Sequence, residues 1–208
     1  LEKSKEIMEE FMDMFDLAFT QETFKFDGEH FQLPETHISA QPVGRRPEVW
    51  LAGDNPVIHR IAARRGYVPL ITGRLLGTQY LSDMRQTIEE SWVAEGLDPG
   101  QMPLGIQRFM CVVDSHQEAL EYLDNARHQA ILASNLRRRE EVMDGSMLIE
   151  QPAHNEPSID ELEEDLLVGD CETIAERLCG EIRAARPSHM MFHFQVGASS
   201  FKKAMTSI

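Results

Sequence analysis

The sequence predicts an α/β fold with a parallel sheet, and two observations support this prediction. Apolar runs at residues 49–52, 68–71, 104–113 and 189–196 are typical of buried strands, because they are too short for helices and are bounded by turn residues. Segments with helical periodicity alternate with these runs, and such alternation requires crossover connections that place successive strands parallel. Either a doubly wound sheet or part of a (βα)8 barrel fits this order.

The first 47 residues precede this alternation and are predicted to form a helix, a hairpin and a loop. Residues 2–19 carry apolar side chains at helical spacing, and we interpret this stripe of Met and Phe as a packing surface rather than a cofactor contact. Phe24–Phe31 alternates around Asp27-Gly28, a dipeptide that favours hairpin turns. Residues 34–47 are predicted to be a loop.

The most informative segment, residues 48–73, reads as a strand, a polar turn, a short helix and a second strand. Gly53–Pro56 forms the turn, since Asp and Asn are preferred N-caps and Pro is favoured at the first helical position. A helix that begins where a strand ends directs free backbone N–H groups at the space above the sheet. We therefore expect Asp54 and Asn55 to face an anion such as a phosphate, with helix capping alone as the alternative.

Beyond residue 73 the alternation continues until one long segment interrupts it. Residues 135–167 contain a charge block, two prolines and an acidic run, and a loop of this length inside a compact domain is usually functional or disordered. The basic residues Arg137–Arg139 are interpreted as a solvated face rather than a docking surface for a reductase. Further helices are predicted over residues 78–95, 116–134, 171–185 and 201–208.

The last predicted strand, residues 189–196, favours a barrel. One of its faces is apolar, whereas the other carries His189, His193 and Gln195. A doubly wound sheet is covered on both faces, but the interior of a barrel near its catalytic mouth mixes apolar and polar groups. His193 and Gln195 are candidate site residues, with an internal hydrogen-bonded pair as the alternative. No metal site is predicted, because the two histidines lack a third ligand at suitable spacing.

Composition excludes several classes of function. The chain has 208 residues and a formal net charge of −15, and an acidic surface repels phosphate backbones, so no nucleic-acid partner is expected. No apolar run is long enough to cross a bilayer, so no membrane partner is expected either. Cys111, Cys171 and Cys179 fit no zinc spacing, and we expect buried, unreactive thiols in a reducing, cytoplasmic setting.

Three stretches resemble the bacterial luciferase-like family of flavin-dependent monooxygenases. The hairpin Phe24–Phe31 followed by Gln41–Gly53 resembles a family passage of the form F-x-G-x-x-F … P-x-x-x-x-P-x-x-W-x-x-G. Ala62–Gly66 resembles the end of a short helix before the next strand, and Val168–Leu178 is similar to the helix that precedes the last barrel strand. The stretches occur in the family's order and spacing over most of residues 1–208.

The resemblance implies a luciferase-like (βα)8 TIM barrel, of which residues 1–208 form the second half within a single domain. Family groups that contact flavin or substrate, including an active-site His, lie upstream of Leu1 by this comparison. Residues 135–167 stand where the family has a mobile loop over the active site, which shields the reaction from water.

The resemblance also assigns two groups of flavin contacts. The turn after the first strand lies near the flavin phosphate, where Ile58 replaces a hydroxyl of a relative, and the end of the second strand lies against the isoalloxazine ring. Asp54 beside a phosphate is unfavourable unless a basic group intervenes. Catalytic residues stay unassigned, with His193 and Gln195 as candidates. The cofactor-binding candidates are Gly53, Asp54, Asn55, Ile58, Ile71 and Thr72.

The implied function is that of a two-component FMN-dependent monooxygenase. A flavin reductase supplies reduced FMN, and a small organic substrate is oxygenated with O2 through chemistry that the flavin provides. One alternative is an oxidoreductase of the same fold that uses the deazaflavin F420, and another is a non-catalytic flavin-binding protein. A half barrel exposes two strand edges, so a homo-oligomer is also expected.

Overall fold

A computed structural model describes residues 2–138, 142–151 and 156–208, and the chain divides into two compact units at the Val49–Trp50 bond. Part of the predicted charge block and the first proline of the 135–167 segment lie outside the described residues. The two units are described separately below.

The first unit contains the predicted helix and hairpin. Helix α1 (Glu2–Thr20) precedes the antiparallel strands β1 (Thr23–Asp27) and β2 (Gln32–His37). The second strand extends into the region predicted to be a loop, because Thr36 and His37 continue the pairing with Phe24 and Thr23. On α1, aromatic rings of the predicted apolar stripe pack against each other, with the centroids of Phe15 and Phe19 4.7 Å apart.

The hairpin turn is closed by a carboxylate from α1. Both carboxylate oxygens of Glu10 accept hydrogen bonds from three consecutive backbone amides, those of Glu29, His30 and Phe31, at 2.6–3.1 Å. Gly28 makes room for this contact, since a Cβ atom there would lie 2.0 Å from Glu10 Oε1. Burial alone would raise the pKa of Glu10, but the amide hydrogen bonds outweigh it and hold the pKa below its usual value.

The second unit consists of an α/β sheet, its helices and an additional hairpin. Its strands are β3 (Trp50–Ala52), β4 (Val68–Ile71), β5 (Gly105–Val112), β6 (Val142–Asp144), β7 (Met147–Ile149), β8 (Leu167–Gly169) and β9 (His189–His193). Its helices are α2 (Pro56–Arg65), α3 (Thr78–Ala94), α4 (His116–Arg138), α5 (Ile159–Asp165), α6 (Cys171–Ala185) and α7 (Phe201–Met205), with a 3-10 turn at Pro99–Gln101.

The sheet is entirely parallel, as predicted. Strand β3 pairs with β4, and β4 pairs with β5. The first part of β5 also pairs with β9, from Gly105 opposite His189 to Phe109 opposite His193, whereas its last three residues pair with β8. Because Ala52 pairs with Leu70 and Ile71 with Ile106, the carboxyl ends of β3 and β4 meet at one edge of the sheet, beside the first residues of β5.

Helices bury the apolar side chains of the sheet in two places. Helix α2 packs on α3, and α3 packs on α6, over fully buried residues that include Ile61, Ile71 and Ile88. A second cluster covers the far half of β5 with residues from α4 and α5. Its members include Phe109, Cys111, Tyr122, Leu123, Ala126, Leu162, Leu166 and Val196.

The long segment at 135–167 contains regular structure that the sequence analysis did not predict. Helix α4 continues to Arg138, the hairpin β6–β7 follows, and helix α5 and strand β8 complete the segment. The last strand ends at His193 rather than at residue 196. The expectation that all three thiols are buried was wrong, because Cys171 and Cys179 are exposed and only Cys111 is buried.

Trp50 explains the glycine that begins β5. Its indole packs edge-on against the His189 ring, with centroids 4.9 Å apart. A Cβ atom at Gly105, which pairs with His189 across the sheet, would lie 2.6 Å from the indole. Among the described residues, none of the helices combines the length and apolar character that crossing a bilayer requires.

Replacing Glu10 with Gln should loosen the hairpin, because a neutral amide offers one oxygen to three backbone donors in place of a charged pair. We expect the amide protons of Glu29, His30 and Phe31 to exchange severalfold faster with solvent. Hydrogen exchange followed by NMR measures this, and Glu6→Gln on the exposed side of the same helix is the control. Equal exchange in the two variants would contradict the role given to Glu10.

Candidate cofactor site at the carboxyl edge of the sheet

A cavity of about 350 Å³ lies where β3 and β4 end. Two predicted cofactor residues, Asp54 and Thr72, line it together with residues that follow β4 and residues on one side of α4. We call this cavity the edge cavity. Its lining is Asp54, Thr72, Arg74, Leu75, Leu76, Ala130, Ala133 and Ser134.

Arg74 is the residue of the edge cavity that the sequence analysis missed. It is half-buried and brings a positive charge beside Asp54. The sequence contains an indication of this role, because Thr72-Gly73-Arg74 directly follows a predicted strand. Parallel strands carry ligand contacts at their carboxyl ends.

Asp54 is held by a tyrosine of α3. The Tyr80 hydroxyl donates a hydrogen bond to the Asp54 carboxylate. Burial, together with this hydrogen bond and the negative charge of Asp54, raises the pKa of Tyr80 above its usual value, so the phenol keeps its proton. A carboxylate that accepts a hydrogen bond from a neutral donor has part of its charge stabilised without a counter-ion.

Asn55 caps helix α2. Its side-chain oxygen accepts hydrogen bonds from the amides of Val57 (3.0 Å) and Ile58 (3.2 Å), and Pro56 has no amide proton to offer. The two amides expected to be free for an anion are therefore already bonded. Capping, the alternative for Asn55, accounts for its geometry.

Gly53 and His59 fix the turn that precedes the helix. A Cβ atom at Gly53 would lie 2.9 Å from Ile58 Cγ2, so Ile58 packs over the glycine. His59 is fully buried, although its place in a short helix predicts a surface position, and its Nε2 bonds to the Gly53 carbonyl oxygen at 2.9 Å. Burial lowers the pKa of His59, although the Gly53 carbonyl and Asp54 oppose the effect.

The two predicted residues at the end of β4 lie in different environments. Ile71 is fully buried in the core, so its side chain is not available to a ligand. Thr72 is half-buried and lines the edge cavity. Successive residues of a strand point to opposite faces, which explains why only one of this pair can face the cavity.

His193, at the end of β9, lies within the electrostatic reach of Arg74. Burial and the positive charge of Arg74 both lower the pKa of His193, which favours a neutral ring at neutral pH. The ring bonds to the side chain of Gln107 on β5, and the backbone carbonyl of His193 accepts a 2.6 Å hydrogen bond from the Tyr122 hydroxyl. The strand end is thus fixed from both sides.

Gln195 lies two residues beyond the end of β9, in an exposed turn. Its side chain donates a 3.0 Å hydrogen bond to the Ser199 carbonyl, so its observed contact stabilises the turn that leads to α7.

Among the described residues, no group of three or more His, Cys, Asp or Glu side chains could hold a metal ion.

Comparison with known proteins identifies the family. The model of the luciferase-like monooxygenase family matches residues 1–188, and the chain belongs to that family. A curated relative, the uncharacterized protein y4vJ of Sinorhizobium fredii, is 27% identical over 210 residues. That match covers 100% of this chain and 60% of the relative, so the chain spans less than two thirds of the relative's length.

Solved structures share the fold at low sequence identity. Monooxygenase RslO1 from Streptomyces bottropensis has a TM-score of 0.69 and 13% identity, with 100% of this chain and 59% of that chain covered. An F420-dependent secondary alcohol dehydrogenase has a TM-score of 0.63 and 14% identity, with 86% and 53% covered.

A third structure carries FMN. It is the oxygenating constituent of 3,6-diketocamphane monooxygenase from Pseudomonas putida, a type II Baeyer-Villiger monooxygenase, with a TM-score of 0.52, 16% identity, and 82% and 51% covered. These likenesses confirm the predicted fold class, a luciferase-like TIM barrel of which this chain forms a part.

The burial of His59 predicts a pH dependence of stability. Because the folded state lowers its pKa, the unfolded chain binds the proton first as the pH falls below about 6.5, and the free energy of unfolding decreases from there until the folded pKa is passed. Urea unfolding between pH 7.5 and 5 should show a shallower decrease for His59→Gln than for the parent chain. His116→Gln, at an exposed histidine, is the control. Parallel curves for parent and His59→Gln would contradict the assignment.

Proposed function

We propose that the chain forms the phosphate-binding side of the cofactor site in an FMN-dependent, two-component monooxygenase. The observation that supports this is the convergence of Asp54 and Thr72 with Arg74 in one cavity at the carboxyl ends of β3 and β4. Ligands of parallel α/β folds bind at this end of the strands. The family description, luciferase-like monooxygenase, supports the reaction class.

The residues of the edge cavity fit a phosphate ester attached to a less polar body. Arg74 would supply charge and paired donors for the phosphate oxygens, and the hydroxyls of Thr72 and Ser134 would add neutral donors. Asp54 disfavours an anion, but its hydrogen bond from Tyr80 and the nearby guanidinium reduce that penalty. Leu75, Leu76 and the alanines of α4 would cover the less polar part of the ligand.

The chemistry divides between cofactor and protein. Reduced FMN, when bound, supplies the electrons with which O2 oxygenates a small organic substrate. The residues of this chain bind the anionic end, orient it against the strand ends and keep water out. His193, neutral and fixed by Gln107, would offer one ring nitrogen at the neighbouring strand end for hydrogen bonding to substrate or flavin.

The activity belongs to the complete barrel. Relatives and solved structures extend well beyond the matched region, since the chain covers 51–60% of them. We propose a flavin reductase as the source of reduced FMN, a homo-oligomer as the assembled state and a cytoplasmic location. His193 remains a candidate for a direct role, whereas the contact of Gln195 within its own turn favours a structural one.

F420 is the second candidate cofactor, favoured by the TM-score of 0.63 with an F420-dependent dehydrogenase. A non-catalytic flavin-binding protein is the third possibility. Both F420 and FMN carry a phosphate group, so Arg74 could bind either cofactor. The two are distinguished by their ring systems, and the preference for one ring must be measured directly.

Arg74→Gln should weaken FMN binding and leave riboflavin binding unchanged, because riboflavin lacks the phosphate. A charge-assisted hydrogen bond contributes about 1.5–3 kcal/mol, which corresponds to a roughly 10- to 100-fold loss of affinity. Flavin fluorescence titration of the full-length protein gives both dissociation constants.

Arg60→Gln, at an exposed arginine of α2, is the matched control for net charge and should bind FMN like the parent. Equal FMN affinity in the parent and Arg74→Gln would remove the phosphate assignment, and an equal loss for FMN and riboflavin would indicate a general disturbance of the site.

Parallel titrations with FMN and F420 should give at least about tenfold tighter binding of FMN, an energy difference of about 1.4 kcal/mol. Oxygen uptake by the full-length protein with reduced FMN and a long-chain aldehyde or a ketone then separates an enzyme from a flavin-binding protein. Preference for F420 would support the alternative that the protein is an F420-dependent oxidoreductase. Tight FMN binding without substrate-dependent oxygen uptake would support the alternative that it is a non-catalytic flavin-binding protein.

A further inference from the structure

Arg108 of β5 lies behind the edge cavity and is fully buried. A guanidinium has five N–H donors, and each of the five is used. Nε and one Nη2 proton bond to the two carboxylate oxygens of Glu181 on α6, at 3.1 and 2.7 Å. The other Nη2 proton bonds to the Asp165 carbonyl at 2.6 Å, and both Nη1 protons bond to the carbonyls of Gly73 and Leu76.

The two Nη1 acceptors flank Arg74. Gly73 precedes it and Leu76 follows two residues later, so one nitrogen holds both ends of the turn that carries the cavity's positive charge. The turn is also closed internally, by hydrogen bonds from the Arg74 amide to Thr72 (2.8 Å) and from the Leu76 amide to Gly73 (3.3 Å). Gly73 is packed tightly, since a Cβ atom there would lie 2.8 Å from Leu81 and 3.7 Å from Arg108 Nη1.

An ion pair with Glu181 accounts for only two of the five donors. The other three hold backbone carbonyls of the turn after β4 and of the end of α5. The Asp165 side chain also covers Gly77, the residue at the start of α3, where a Cβ atom would lie 1.9 Å from its carboxylate. One guanidinium therefore joins the long segment before β8 to the turn that lines the edge cavity.

We propose that Arg108 is a positioning residue, which fixes the Gly73–Leu76 turn through both carbonyls and thereby determines where Arg74 places its charge. What that charge binds rests on the proposed function, but the positioning does not. Lysine cannot replace arginine in this role, because its three donors share one nitrogen and cannot reach a carboxylate and three carbonyls together.

His193 reports the position of Arg74 without any cofactor. The charge of Arg74 contributes to the lowered pKa of His193, so moving or removing that charge should raise the pKa. We would measure the His193 ring protons by NMR titration in the parent, Arg74→Gln, Arg108→Lys and Glu181→Gln. Arg108→Lys keeps the buried positive charge, so a change in the His193 pKa reflects displacement of the turn.

We expect Arg74→Gln and Arg108→Lys to raise the His193 pKa to a similar extent. Glu181→Gln removes the charge of the ion pair and leaves one acceptor oxygen for Arg108, while the bonds from Arg108 to the carbonyls of Gly73 and Leu76 are kept. This variant should therefore lower Tm and leave the His193 pKa near that of the parent. Arg108→Lys should also weaken FMN binding about 10-fold or more and spare riboflavin, as Arg74→Gln does. A lower Tm with an unchanged His193 pKa in Arg108→Lys would overturn the proposal and leave Arg108 a structural residue only.

Should Arg108→Lys fail to fold, Gly73→Ala displaces the same turn and leaves the guanidinium and Glu181 intact. An unchanged His193 pKa in Gly73→Ala would then contradict the proposal, and a raised one would support it. If the variants raise the His193 pKa but FMN binds equally to all of them, the proposed cofactor site is wrong while the positioning by Arg108 stands.

Discussion

The buried guanidinium of Arg108 is the interaction on which the second unit depends. It connects β5 to α6 through Glu181, to the turn after β4 through two carbonyls, and to the end of α5 through a third. Removing a charge from water is costly, and an ion pair at full burial contributes little net stability unless every remaining donor is bonded. Here all five donors have acceptors. Loss of one partner would leave an uncompensated buried charge, which lowers the free energy of unfolding by about 3–5 kcal/mol.

In the Arg108–Glu181 ion pair, the attraction between the charges is opposed by the cost of burying them. Burial raises the pKa of the Glu181 carboxyl, and the Arg108 guanidinium opposes this change. Burial likewise raises the pKa of Asp165, again opposed by Arg108. A single arginine therefore compensates the burial of two carboxyl groups, and its rigid planar fork sets the distance between the elements that carry them.

The charge of Arg74 distinguishes the edge cavity from the rest of an acidic protein. With a formal net charge of −15, the protein as a whole repels anions, so a phosphate must be attracted by a local cation. In the proposed site Arg74 would supply that cation, since the first amides of α2 are already bonded to Asn55. The site is thus better explained by a positioned side chain than by a bare helix terminus. The positive charge of Arg74 also reaches His193 at the end of the last strand, where it and burial lower the pKa of the ring.

The sequence predicted much of the fold because local chemistry decides it. Apolar runs gave the strands, Asn55 and Pro56 gave the start of α2, and Asp27-Gly28 gave the hairpin. It did not predict β8 or the hairpin β6–β7, which are three residues per strand and too short to carry a periodic signal. The three motif stretches identified the family, since spacing along the chain survives when overall identity is low.

The sequence by itself also determined that Asp54 and Thr72 follow neighbouring strands, and hence that they share one edge of the sheet. Only the tertiary structure decided that Ile71 faces the core, that His59 is buried and that Arg74 enters the cavity. Those outcomes depend on contacts between residues far apart in the chain, such as Arg108 with Gly73 and with Glu181, 73 positions later. Hydrophobic periodicity describes a residue's own element, but it carries no information about which distant group will hold that element in place.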